Sequence, residues 1–138
     1  MHTEVVRDLE TGLVLSPEHS VPIPARLTYR TEDPYAVHLS FHITSPRQVT
    51  WAFSRDLLIE GVFREAGEGD VRIFPGKVDG RSVVCLALSS PEGRALVTVP
   101  VKEVSGWLER TLRLVAPGLE GQWLALDEAL EELLTSGA

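Results

Sequence analysis

The chain has 138 residues, 43% hydrophobic and 24% charged, which suits one domain with a buried core and excludes the weakly hydrophobic, highly charged composition of a disordered segment. Its net charge of −7, from 13 basic and 20 acidic residues, argues against a protein that grips a phosphate backbone, because that affinity comes from clustered Lys and Arg. A lone cysteine leaves no disulfide framework, so one domain over residues 1–138, stable in a reducing compartment, is expected.

Met1-His2-Thr3-Glu4 lacks the basic and apolar regions of a secretory signal, and no run is long and apolar enough for a transmembrane segment. The chain is therefore expected to be cytoplasmic. Val5 to Leu15 and Ile23 to Tyr29 read as the first strands, joined by a polar stretch ending in Pro22 and Pro24, whose missing donors suit strand starts or sheet edges. Asp33-Pro34 makes a turn. Val37, Leu39, Phe41 and Ile43 then alternate with His38, Ser40 and His42, the period of a strand with one wet face.

Val49 to Phe53 gives a fourth strand, and Ser54 is placed to cap a short helix, Arg55 to Glu60, with Gly61 as its stop. Gly67 to Asp70 turns into a strand from Val71 to Phe74 that Pro75-Gly76 should end. Ser82 to Leu88, apolar on both faces, reads as a central strand, and Cys85 within it as a buried small hydrophobe. Ser89 to Gly93 turns the chain into a strand from Arg94 to Val99.

Two helices follow. Val104, Trp107, Leu108, Leu112 and Val115 have helical spacing, with Glu109 four residues before Arg113; Gly106, which costs about 1 kcal/mol relative to Ala there, suggests a close backbone approach. After Pro117-Gly118, Leu126, Ala129, Leu130, Leu133 and Leu134 share one face of the last helix and Asp127, Glu128, Glu131 and Glu132 the other, so one face should be covered by the sheet or by a partner chain. The order predicts an α+β domain of antiparallel sheets covered by helices: four strands and a helix, then three strands and two helices, a weakly doubled unit.

Catalytic chemistry finds no support. His38 and His42 share a strand face but stand about 13 Å apart, too far for one ion, and read as two solvated histidines; His2 and His19 fall in a disordered end and a loop. No metal site is predicted. Gly67-x-Gly69 leads into a strand and Gly76-Lys77 is followed by Val78, so there is no phosphate cradle, and no serine has the G-x-S-x-G setting of a nucleophile elbow. Trp51 between Arg47 and Arg55, and Tyr29 beside Arg26 and Arg30, could stack single-stranded bases; Trp51 and Phe53 at period two read better as core and the arginines as solvated.

Whole segments carry a family resemblance. Val21-Pro22-Ile23-Pro24-Ala25-x-Leu27-x-Tyr29, Asp33-Pro34-Tyr35-Ala36-Val37, Trp51-x-Phe53-x-Arg55-Asp56-Leu57-Leu58-x-x-Gly61, Gly69-Asp70-Val71-Arg72 and Ala87-Leu88-Ser89-Ser90-Pro91-Glu92-Gly93 look like successive blocks of the SsgA-like family of actinomycete sporulation and cell-division proteins. The resemblance implies a non-catalytic role in sporulation-specific septation, contact with the tubulin-like FtsZ and with an SsgA-type protein, a place at the division septum, no cofactor, and a homotrimer. It also implies a fold similar to the whirly single-stranded nucleic-acid binders, which leaves nucleic-acid binding as the alternative against the acidity of the chain. For partner contact the candidates are Glu128, Glu131 and Glu132, an acidic stripe able to steer a partner, and Gly118, which would set how the last helix is presented.

Overall fold

A computed structural model describes residues 2–136; Met1, Gly137 and Ala138, the ends of the expected domain, lie outside the described residues. In chain order the elements are β1 (Glu4–Ser16), β2 (His19–Arg30), β3 (Ala36–Phe41), β4 (Val49–Ser54), α1 (Arg55–Phe63), β5 (Val71–Val78), β6 (Arg81–Ser90), β7 (Gly93–Pro100), α2 (Val101–Leu114) and α3 (Glu120–Ser136). The α+β order is as the sequence predicts. All seven strands join one antiparallel sheet, β4-β3-β2-β1-β7-β6-β5.

The two halves meet at β1 and β7 through Gly12↔Thr98 and Leu13↔Val97. Alternation puts Leu27, Tyr29, Val37, Leu39, Ile73, Val84, Leu86 and Val99 into one buried core with Leu58 of α1 and Val104, Trp107 and Leu108 of α2. Helix α2 matches its predicted spacing, with Thr111 rather than Leu112 as the buried residue of its next turn. Trp107 ties it to the sheet by donating its indole N–H to the Val5 carbonyl at 3.0 Å.

Several local readings change. Pro22 and Pro24 lie inside β2, not before it, and are tolerated because the β2–β3 ladder begins only at Ala25. Strand β3 ends at Phe41, His42 takes a φ of 56°, and the side with His38 and Ser40 is not a wet face: His38 is half-buried and Ser40 buried, sharing a hydrogen bond with Thr50 at 2.9 Å. Helix α1 is capped by Ser54, whose Oγ accepts from the Leu57 N–H at 2.9 Å, but it runs through Gly61 to Phe63. A Cβ at Gly61 would overlap the Ile73 side chain, so this glycine serves a helix-on-sheet contact instead of a stop. Gly106 shows the converse: nothing lies within 4 Å of a Cβ there, so it marks no close approach.

Strand β5 passes through Pro75 and Gly76 and turns at Asp79 and Gly80, whose φ values of 50° and 77° fit a two-residue hairpin turn. A proline is permitted because β5 is a sheet edge. Strand β6 is buried on both faces yet is penultimate in the sheet. Cys85 lies on it, 8% exposed, and burial raises its thiol pKa. Native protein should therefore react slowly with a thiol-specific reagent and quantitatively once unfolded; fast native labelling would contradict the buried placement.

Candidate partner-binding site

The last helix is positioned by a joint and three pins. The joint is Ala116 to Leu119, closed by the Leu119 N–H donating to the Ala116 carbonyl at 3.0 Å, with Gly118 at a φ of +85°. No atom lies within 4 Å of a Cβ at Gly118, so its backbone conformation and not crowding selects glycine.

The first pin is a buried ion pair. Ser54 and the turn between β2 and β3 fix Arg55 at the start of α1, where its N–H donates to the Tyr35 carbonyl at 2.7 Å. The Arg55 side chain is fully buried: its guanidinium lies 4.9 Å from the Tyr29 ring centroid, donates to the Thr111 carbonyl of α2 at 3.1 Å, and donates to Glu120 of α3 at 2.9 Å. This contradicts the reading of Arg55 as solvated. Burial pushes the Glu120 carboxyl pKa up, but hydrogen bonds from its own and the Gly118 backbone, together with Arg55, outweigh it and hold the group below the usual carboxylate range. A carboxylate in the first turn also suits the positive end of the helix. Burial raises the Tyr29 phenol to about 12, Arg55 opposing and Glu120 and Asp33 adding, and its hydroxyl donates to the Pro34 carbonyl at 3.0 Å.

The second pin is Trp123, half-buried against the core. The third is Asp127, 9% exposed, whose carboxylate meets the His2 Nε2 at 3.1 Å. The same ring reaches Glu131 at 3.4 Å and, through Nδ1, Glu32 at 3.0 Å. His2 is thus packed among three carboxylates and is not a disordered end. Potential ligand atoms of His2, Asp127 and Glu131 lie within 4.8 Å of one another, a grouping spread over both ends of the chain that no local spacing reveals. The His2 ring is the shared partner of the carboxylates in these contacts.

The pins set the orientation of α3, and of the two covers expected for it the sheet is not the one that meets its leucines. Glu120, Trp123 and Asp127 face the body, while Leu126, Leu130, Leu133 and Leu134 are 55%, 40%, 72% and 82% exposed. Among the described residues the helix makes no extensive contact with any other helix or strand, so the sheet does not cover its leucines. Of the predicted contact residues, Glu128, Glu131 and Glu132 are exposed on α3 and Gly118 precedes it in the joint; Glu131 turns toward His2, whereas Glu128 and Glu132 share the side away from the leucines. They form a surface and not a pocket. Arg55, Glu120, His2 and Asp127 escape sequence reasoning, because each is paired with a residue distant in the chain. The capping serine beside Arg55 is the one local signal that its backbone is fixed.

Comparison with known proteins agrees with this architecture. A family model described as the Streptomyces sporulation and cell division protein SsgA matches residues 23–120. The chain is 48% identical to the sporulation-specific cell division protein SsgB of Streptomyces coelicolor, over 97% of this chain and 98% of that one. A structure solved in work on SsgB mutations and longitudinal cell division during sporulation of Streptomyces coelicolor superposes with a TM-score of 0.85, at 49% identity, covering 89% of this chain and 97% of the other. The SsgA-like sporulation-specific cell division protein of Thermobifida fusca superposes with a TM-score of 0.83, at 38% identity, over 94% and 95%. No helix among the described residues is long and apolar enough to cross a membrane.

Proposed function

The chain belongs to the SsgA-like family of sporulation and cell-division proteins, and from that premise we propose that it is a non-catalytic adaptor of sporulation-specific septation, helping to recruit or position the FtsZ ring. An SsgA-type protein is its second partner, it acts in the cytoplasm at the division septum as a homotrimer, and it needs no cofactor. The observation that carries this reading is α3: a helix seated by polar pins, with its leucines and the carboxylates of Glu128 and Glu132 turned outward. Such a surface can steer and orient a protein partner. The acidity of α3 weighs against nucleic acid as that partner.

Co-sedimentation with polymerised FtsZ tests the adaptor role. Enrichment of the chain in the pellet, or altered filament bundling, is expected; absence of both would overturn direct contact. At the joint, Gly118→Val is expected to cost roughly 1–3 kcal/mol of stability for the positive φ and to reduce co-sedimentation by a larger factor than thermal unfolding explains. Equal losses of folded fraction and of binding would show that Gly118 serves only the fold.

A further inference from the structure

His2 brings three parts of the chain to one imidazole. Its Nδ1 lies 3.0 Å from Glu32 in the turn between β2 and β3, and its Nε2 lies 3.1 Å from an Asp127 oxygen and 3.4 Å from a Glu131 oxygen. Asp127 and Glu131 stand four positions apart on α3, so the helix stacks both carboxylates on the side that meets the ring.

Hydrogen bonding alone leaves this arrangement unfinished. A neutral imidazole has one N–H, yet both ring nitrogens face carboxylate oxygens, so whichever nitrogen lacks the proton turns a lone pair toward an anion. With the N–H on the Glu32 side, the Nε2 lone pair points to the space that Asp127 and Glu131 flank. A cation held jointly by Nε2 and the two oxygens removes the repulsion, and no Lys or Arg follows Arg113 to supply one from α3. A carboxylate behind the other ring nitrogen is also the usual support of a metal-bound histidine.

Spacing and donor type identify the ion. Zinc bonds to nitrogen and oxygen at about 2.0–2.2 Å, which sets the edges of its tetrahedron at about 3.4 Å. The two measured edges are 3.1 and 3.4 Å, and all three donor atoms lie within 4.8 Å of one another. An imidazole beside two carboxylates suits a first-row divalent metal, whereas magnesium and calcium favour oxygen alone. Asp127 is buried, and the exposed sides of His2 and Glu131 leave an entry path and room for water as the remaining ligand.

We propose that His2, Asp127 and Glu131 bind a divalent cation of the zinc class, with Glu32 orienting the imidazole through Nδ1, and that this ion fastens α3 to the segment before β1. The ion is a structural clip and not a reactant, and the proposal stands apart from the adaptor reading.

The test titrates the full chain, free of any affinity tag, with zinc chloride by calorimetry, and with magnesium chloride at the same concentrations. Saturable binding of one zinc ion per chain is expected, with no saturable uptake of magnesium. His2→Ala and Asp127→Asn should each weaken zinc binding at least about tenfold, and Glu32→Gln by about tenfold through loss of the support behind the ring. Zinc should raise the melting midpoint of the wild type and slow amide exchange in α3, and do neither in His2→Ala. His2 lies outside every helix and strand, so His2→Ala should leave the circular dichroism unchanged; Glu131→Gln, at an exposed residue, is the second variant. His19, His38, His42 and Cys85 are the other nitrogen and sulfur donors of the chain. Undiminished zinc affinity in both His2→Ala and Glu131→Gln would place the ion among those and overturn the proposal. Equal binding of magnesium would overturn it as well, by reducing the site to exposed negative charge. Absence of saturable zinc binding would leave a proton on the ring as the charge that gathers the carboxylates, and the proposal would fall.

Discussion

Glu120→Ala is expected to destabilise the protein by about 3–5 kcal/mol, because it leaves the Arg55 guanidinium buried without its counter-ion. Arg55 is enclosed by α1, the Tyr29 ring, the Thr111 carbonyl and the start of α3, and its Nε already lacks a hydrogen-bond partner. Lifting α3 away would expose the guanidinium to water. The loss should therefore show both as a lower urea midpoint and as fast amide exchange in the first two turns of α3, while the sheet amides remain protected longest. Replacing both partners, Arg55→Leu with Glu120→Leu, should recover much of the stability, since no charge is then stranded. An unchanged midpoint in Glu120→Ala would show that the pair contributes nothing.

The same pair sets a pH dependence. The folded pKa of Glu120 lies below its ordinary value, so its contribution is fully present above that ordinary value and is lost as the pH falls through the depressed one. Loosening of α3 is thus expected as the pH falls below the usual carboxylate range, before the sheet itself unfolds. In Glu120→Gln this acid transition should disappear from the amide exchange of α3.

What the sequence reveals and what it conceals divide along the range of the interactions. Val37, Leu39 and Phe41 declare a strand because alternation is local, and Ser54 declares a helix start because its hydroxyl caps a residue three positions on. Gly61 and Gly106 are both glycines inside helices, and only the distant Ile73 distinguishes a required contact from open space. Pro75 looks like a strand end until the sheet order makes β5 an edge. The last helix shows the limit best. Periodicity separates its leucines from its acids but does not state which side meets the body, and the body takes the side with Glu120, Trp123 and Asp127 and not the leucines. Arg55 and His2, both remote in sequence, recruit Glu120 and Asp127 to the body and leave the leucines outside. The candidate site was therefore legible as a helix and a composition, and its orientation was not.

Trp107→Ala should cost about 3–5 kcal/mol from lost packing, with a further contribution from the stranded Val5 carbonyl. Trp107 is 1% exposed and is the largest fully buried side chain of the core. Its indole N–H reaches β1 and its ring fills the space between α2 and the sheet, so the substitution removes both a filler and a tether. Trp107→Phe keeps much of the ring and loses the hydrogen bond, and a smaller loss than for alanine would separate the two contributions. A phenylalanine variant as unstable as the alanine one would instead assign the whole effect to the tether. The comparison with Glu120→Ala is the informative one, because α2 ends at the joint from which α3 departs. Loosening α2 should expose sheet and helix amides together in one cooperative transition, whereas loosening the ion pair should free α3 alone. If the two variants gave the same exchange pattern, α3 would be part of the cooperative core and could not act as an independently presented surface.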